Sequence, residues 1–314
     1  MQETHNSKNS IHLDDEIDLQ ELINALWLNK NLIIFITASI SLVAVIYSLL
    51  LPNIYQSKAV LVSTNSSNTI SSALQGYAGL ASLAGVSISS GSGSSNSDSA
   101  IEKLKSLSFF EHRILPNIFL PDLMALPSWD HNTNSLNYDE DLYDSVSKKW
   151  IRSYAYPQKQ IPSSQESFKE FLLLLQITEN TSNGFITISI KHSSPYIAKE
   201  WTELMINQIN LFFREKDKLE STKAVNFLNQ QIAMTNLTEI KQAISQVIKE
   251  ETQKLALIEA KQNYVFDIID PPVVTEQKSE PKRALISILG AILGAILSIL
   301  FVLIKYYNFS KKDS

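Results

Sequence analysis

Two stretches of this chain carry no charge at all, residues 31–51 (NLIIFITASISLVAVIYSLLL) and residues 284–304 (ALISILGAILGAILSILFVLI). At about 1.5 Å of rise per helical residue, each is long enough to cross a hydrocarbon layer about 30 Å thick. They predict two transmembrane helices. A cleaved signal sequence has an apolar stretch of only about 7–15 residues followed by a small-residue cleavage site. The first run is longer, follows the polar segment DDEIDLQELINALWLNK and ends in LLLPNIYQ, so it reads as an uncleaved anchor. Two spans put both termini on one side of the membrane and residues 52–283 on the other.

Between the spans the hydrophobic period shortens. Residues 54–64 (IYQSKAVLVST) are rich in β-branched side chains with partial alternation and predict a strand. In residues 184–194 (GFITISIKHSS), Phe185, Thr187 and Ser189 alternate with Ile186, Ile188 and Ile190, the pattern of a half-buried strand. Residues 165–179 (QESFKEFLLLLQITE) read as a helix leading into a strand. Residues 100–115 (AIEKLKSLSFFEHRIL) place Ile101, Leu104, Leu107 and Phe110 or Glu111 at helical spacing and end before Pro116. The Gly- and Ser-rich residues 65–99 predict a mobile loop, with LQGYAGLASLAGV as a short helix inside it. Residues 116–165 are broken by proline, with amphipathic material near 143–151. Strands at both ends with helices between them predict an α+β domain.

From Pro195 the pattern becomes helical, with about 40 residues free of internal proline and glycine. Pro195 suits a first helical turn, with Ser194 as its cap. Asn236, with Glu239 three residues on, is the expected cap of a second helix. On it Ile240, Ile244, Val247, Leu255 and Ile258 share a face broken by Glu251. The two helices predict a hairpin too long to bury its stripes on a small domain, so it is expected to pack against copies of itself.

The second apolar run carries small residues four apart, Gly290 and Gly294, with Ser287, Ala291, Ala295 and Ser298 near the same side. Such spacing lets helix backbones approach closely in lipid. The expected partner is the first span or the span of a neighbouring subunit. Before this run stand Pro271, Pro272 and Pro281 with the basic pair Lys282 and Arg283. Proline fixes φ and disfavours helix in the residue before it, so IIDPP is expected to stop the returning helix and begin an extended connector.

Charge changes this picture little. The chain has 314 residues, 44% of them hydrophobic, and a net charge of -5 with dispersed Lys and Arg, which argues against a nucleic-acid partner. Near the ends of the spans, Lys8, Lys30, Lys305, Lys311 and Lys312 on the side of the termini, against Lys58, Lys282 and Arg283 on the loop side, lean weakly toward cytoplasmic termini. The absence of cysteine leaves the compartment open.

No chemistry-bearing motif emerges. There is no GxxxxGK[ST] loop, GxSxG elbow or HExxH, and His5, His12, His112, His131 and His192 fall singly. Residues 91–99 (GSGSSNSDS) lack the lysine of a phosphate loop and read as flexible. The acidic residues 138–144 lack the glycine of a calcium loop and read as a solvated face. No catalytic, metal or cofactor-binding residue is therefore expected. Trp129, Trp150 and Tyr154 could pack in a core or stack on sugar rings. Trp27, Tyr306 and Tyr307 suit the membrane interface.

The ordered set resembles a known family. Residues 15–62 (DEIDLQELINALWLNKNLIIFITASISLVAVIYSLLLPNIYQSKAVLV) look like the entry helix, first span and opening strand of the bacterial chain-length determinant (Wzz-type) polysaccharide co-polymerases. GLASLAGVSI and IEKLKSLSFFEHRIL resemble the loop and helix that follow. FLNQQIAMTNLTEIKQAISQVIKEETQKLALIEAKQNYVFDIIDPPVV and SEPKRALISILGAILG resemble the far end. The family's connector is more regularly proline-rich, and VVTEQKSE lacks the intermediate prolines.

The resemblance implies an α+β fold in which two transmembrane helices flank a periplasmic α/β base domain with a long protruding helical hairpin. The expected division is a cytoplasmic segment 1–30, spans 31–51 and 284–304, a base 52–194, a hairpin 195–264, a return and connector 265–283, and a cytoplasmic tail 305–314. It implies a non-enzymatic homo-oligomer of the bacterial inner membrane, with both termini cytoplasmic. Its role would be to set the chain length of O-antigen, lipopolysaccharide or a related surface polysaccharide with a separate membrane polymerase. Lipid-linked polysaccharide is a further candidate partner, and no cofactor is implied. The alternative is a transmembrane adaptor for a separate tyrosine kinase in capsule or exopolysaccharide export. The short stretch after residue 304 leaves no fused kinase to be expected.

Overall fold

The computed structural model describes residues 19–64 and 96–310. The loop expected over 65–95, and the helix within it, lie outside the described residues. The chain divides into two compact units, one of Met1–Leu51 with Pro281–Ser314 and one of Pro52–Glu280. In the first, helix α1 (Leu19–Leu28) is separated from α2 (Lys30–Leu50) by Asn29, whose φ of -101° and ψ of 16° break the helical path.

The second unit is built on strand β1 (Tyr55–Ser63). The helix expected over 100–115 differs from the one observed. Helix α3 (Asn96–Leu104) begins four residues earlier and stops, and a new turn, α4 (Leu107–Phe109), starts at Ser106. The cause is Ser106, whose Oγ accepts from Phe109 N at 3.3 Å and donates to Lys103 O at 2.7 Å, offering the backbone a cap in place of a continuous helix. A π-turn (Phe110–Ile114) and a 3-10 turn (Leu115–Asn117) follow.

The proline-broken region holds helix α5 (Leu120–Met124) and two small antiparallel hairpins, β2 (Ser128–Asp130) with β3 (Ser135–Asn137), and β4 (Tyr143–Asp144) with β5 (Lys149–Trp150). Helix α6 (Ser164–Leu174) then runs into β6 (Leu175–Asn180) and β7 (Phe185–His192). Gly184, at φ +70°, supplies the left-handed turn between them. Ser163 and Glu166 form a reciprocal capping box on α6, and Arg152 Nη2 donates to the same Glu166 at 2.8 Å. That cap was legible as S-x-x-E.

Helix α7 (Pro195–Met234) has Pro195 in its first turn and Ser194 before it, although Ser194 makes no side-chain capping bond. Its 40 residues span about 60 Å at the usual rise. Helix α8 (Thr238–Ala260) ends short of residue 264, the expected end of the hairpin. Asn236 is not its cap. Leu237 occupies that position in an extended conformation without a side-chain bond, and Asn236 lies one residue too early to reach the first turn.

The returning segment is a strand, β8 (Phe266–Asp270), which completes a fully antiparallel sheet in the order β6-β7-β1-β8. The expectation that IIDPP stops a helix is therefore corrected. Pro271 and Pro272 end a strand, because proline has no N–H to continue the ladder.

The core lies between this sheet and the first half of α7. Ala59 and Leu61 of β1 and Ile188 and Ile190 of β7 are fully buried. They meet an i, i+4 stripe of α7 that includes Ile197, Trp201, Met205, Ile209 and Phe213. Beyond Phe213 the sequence REKDKLEST turns charged, and of the α7 positions that follow only Ser221 is buried.

The first unit is closed by helix α9 (Arg283–Ser310), which packs on α2 and α1. Both α2 and α9 are long and apolar enough to cross a membrane. Their outer faces, with Ile34, Phe35, Leu42, Leu289, Leu293 and Phe301, are exposed, as a lipid-facing surface requires.

Candidate functional site

The two apolar helices meet through small residues. A Cβ added at Gly290 would lie 2.4 Å from Ala44 Cβ, and one at Gly294 would lie 3.2 Å from Ile40 Cβ and 3.3 Å from Thr37 O. Ser298 is fully buried, donates to Ala295 O at 2.8 Å, and sits 3.1 Å from the Thr37 hydroxyl. Hydrogen bonds of this kind hold helices together where hydrophobic driving force is absent. Ser287 instead donates to Arg283 O within its own helix at 3.0 Å. Ala291 is half-buried and Ala295 is also half-buried along α9. Thr37, Ala44 and Ser48 of the first span were not among the predicted site residues. Their spacing with Ser41 repeats the small-residue pattern and could have identified them.

The connector residues fall in both units. Pro271 is exposed and Pro272 buried, and the segment behind them is tied to the sheet where the buried Ser57 donates to Val273 O at 2.8 Å. The two ends of the second unit then pair, with Ile54 N donating to Glu280 O at 3.0 Å and Glu280 N to Ile54 O at 3.2 Å. Lys191 binds Glu280 at 2.6 Å. In the first unit Pro281, Lys282 and Arg283 open α9. Arg283 N donates to Pro281 O at 2.9 Å, and Leu285 N donates to Lys282 O at 2.9 Å.

The hairpin has a locked base and an open upper part. Tyr264 donates to Asp217 Oδ2 at 2.6 Å, and burial, together with that carboxylate, pushes the phenol far above its usual range, keeping it a donor. Lys218 pairs with Glu259 and holds that carboxyl below the usual carboxylate range. Ile258 is buried, but Ile240 and Val247, on the same predicted stripe, remain exposed. Phe227 and Met234 of α7 and Leu237 in the turn are exposed as well.

Among the described residues no group of three or more His, Cys, Asp or Glu could hold a metal ion. Within 138–144, Asp139 and Asp144 accept backbone N–H groups from their own turns, at Asp141 and Val146. Tyr138 donates to Asp122 at 2.6 Å. His192 is buried, accepts from Ser194 N at 3.0 Å through Nδ1, and donates through Nε2 to Asp122 O at 3.0 Å. Trp150 packs edge-on against Tyr143, while Tyr154 is 57% exposed. Trp27 is exposed with Lys30 Nζ 5.2 Å over its ring.

With the apolar helix and opening strand of the chain in view, residues 15–114 match the family model described as Wzz, chain length determinant protein. Residues 15–114 thus carry a Wzz-type chain length determinant domain. At the other end, residues 229–307 match the GNVR model, described as "G-rich domain on putative tyrosine kinase". Among solved structures, the chain is similar to a full-length bacterial polysaccharide co-polymerase. That match has 15% identity, covers 93% of this chain and 99% of the other, and has a TM-score of 0.39. It is also similar to a fragment of WzzB, a polysaccharide co-polymerase from Salmonella Typhimurium, at 12% identity over 73% of this chain and 100% of the other, with a TM-score of 0.28. No curated protein sequence matches.

Proposed function

We propose that this Wzz-type chain is a non-enzymatic, homo-oligomeric regulator of the bacterial inner membrane. It sets the chain length of O-antigen, lipopolysaccharide or a related surface polysaccharide by acting with a separate membrane polymerase. The observation that carries the reading is the chain-length determinant model over residues 15–114, which spans the first apolar helix and the opening strand. In this reading both termini are cytoplasmic and residues 52–283 are periplasmic. The seam of Gly290, Gly294 and Ser298 holds the spans together, and the connector from Pro271 to Arg283 sets the return to the membrane. The exposed apolar residues of the hairpin support packing against further copies.

The test is an electrophoretic ladder of surface polysaccharide from the host with the gene intact, deleted and restored on a plasmid. A modal cluster that becomes a smoothly decaying ladder on deletion, and returns on restoration, is the expected result. An unchanged distribution on deletion overturns the reading.

The GNVR match over residues 229–307 favours a second reading, an adaptor for a separate tyrosine kinase in polysaccharide export. Under that reading deletion leaves the length distribution unchanged and lowers the amount exported.

A further inference from the structure

The second unit has a cleft of about 410 Å³ that lies apart from the span seam and touches the hairpin only at the first turn of α7. Its volume falls within the range of small-molecule sites, about 300–1,000 Å³. Trp129, at the centre of strand β2, is the hub. Tyr55 meets its ring edge-on at 5.5 Å, His131 at 5.4 Å and Tyr196 at 6.0 Å. The indole N–H donates to Asn134 Oδ1 at 2.8 Å, which fixes the ring, and Asn134 reaches that position in the left-handed conformation at φ 50°.

The aromatic cluster is not a core. Tyr196 is 51% exposed and His131 is exposed, although Pro195 beside them is buried in the first turn of α7. The facing wall is the chain after the two connector prolines, held by the Ser57 bond to Val273. It brings Thr275 and the exposed carboxylate of Glu276 to the cleft. The Thr275 hydroxyl is closed off from solvent and has no hydrogen-bond partner among the described residues.

The lining selects a chemistry. Aromatic plates take flat apolar faces, and a carboxylate beside them takes hydroxyl or amine donors. A pyranose offers both, a face of C–H groups and a rim of hydroxyls. Among the described residues the lining contains no Lys or Arg, so a phosphate-bearing nucleotide finds no counter-charge from them.

We propose that this cleft holds one pyranose ring of a surface glycan, with the exposed Tyr196 as its plate, Trp129 beside it in the cleft wall, and Glu276 accepting from its hydroxyls. The proposal deepens the chain-length reading and rests on it only for the source of the glycan.

The test uses the full chain in lipid nanodiscs with its four tryptophans replaced by 5-fluorotryptophan. The Trp129 fluorine resonance is assigned by its loss in Trp129→Phe. The probes are maltotriose, chitotriose and the host's own surface polysaccharide released from lipid by mild acid. The expected result is a saturable shift of the Trp129 resonance with at least one probe, weakened at least tenfold in the double variant Tyr196→Ala/Glu276→Gln. No shift with any probe overturns the proposal, as does binding unaltered in the double variant. The host's ladder separates the two readings. A retained modal cluster without a Trp129 shift removes the sugar site alone, whereas a Trp129 shift in a host whose ladder is insensitive to the gene removes the chain-length reading alone.

Discussion

Asn210 holds Phe266 by both ends of its amide, with Nδ2 donating to Phe266 O at 3.0 Å and Oδ1 accepting from Phe266 N at 2.9 Å. The same Oδ1 accepts from Tyr264 N at 3.1 Å and Val265 N at 2.8 Å. One buried side chain on α7 thus satisfies the backbone where the chain leaves the hairpin and enters β8. Asn210→Ala leaves these backbone groups without that partner, and a loss of about 2–4 kcal/mol is expected. Denaturant titration of the full chain in detergent measures it, and a midpoint within error of wild type would refute the clasp.

The seam between the spans makes a reciprocal prediction. Gly290→Ala drives a methyl into Ala44 and, as overpacking, is expected to cost about 1–3 kcal/mol. Adding Ala44→Gly removes the opposing methyl and is expected to return most of that loss. Thermal unfolding of the three variants in one detergent provides the comparison. A double variant no better than Gly290→Ala would mean the two positions do not touch.

Acid should weaken the second unit through His192. Burial pushes its pKa below the ordinary histidine value, and Nδ1 already accepts from Ser194 N, so a proton there would set N–H against N–H. The folded value being depressed, the neutral ring's contribution is fully present above the unfolded value of about 6.5 and is lost as pH falls through the folded one. Asp122 works in the opposite sense at lower pH, since burial raises its carboxyl. Unfolding temperature is expected to drop between pH 7.5 and 5.5 in wild type and to change less in His192→Gln. Parallel curves for the two proteins would remove His192 from the account.

Phe227 and Met234 stand seven residues apart on α7, and both are exposed. Phe227→Glu with Met234→Lys is expected to lower the oligomeric order of the detergent-solubilised chain, read by native mass spectrometry. Being on an exposed surface, the changes should move monomer stability by no more than about 0.5 kcal/mol each. An unchanged oligomer would place the interface elsewhere.

Local pattern explains much of this architecture. A run of 21 uncharged residues leaves a helix few homes but a bilayer, and α2 and α9 coincide with the two runs to within a residue at their starts. Alternation of Ile186, Ile188 and Ile190 reads directly as one buried face of β7, and Pro195 marks the start of α7 because its missing N–H does no harm in a first turn. The misreadings share a cause. Ser106 competes for its own backbone and splits a periodic helix, while Asn236 has cap chemistry but lies one residue too far from the helix it was assigned to.

The sequence by itself determined the two spans, the half-buried strand β7 and the long helix α7, since each follows from periodicity or charge within one continuous segment. Only the tertiary structure decided that FDIID is an edge strand, because the partners that make it one, β1 and Asn210, lie far away along the chain. The cleft around Trp129 is of the same kind. Tyr55, Trp129, Tyr196 and Glu276 come from four separate segments, and no pattern within any one of them encodes their meeting.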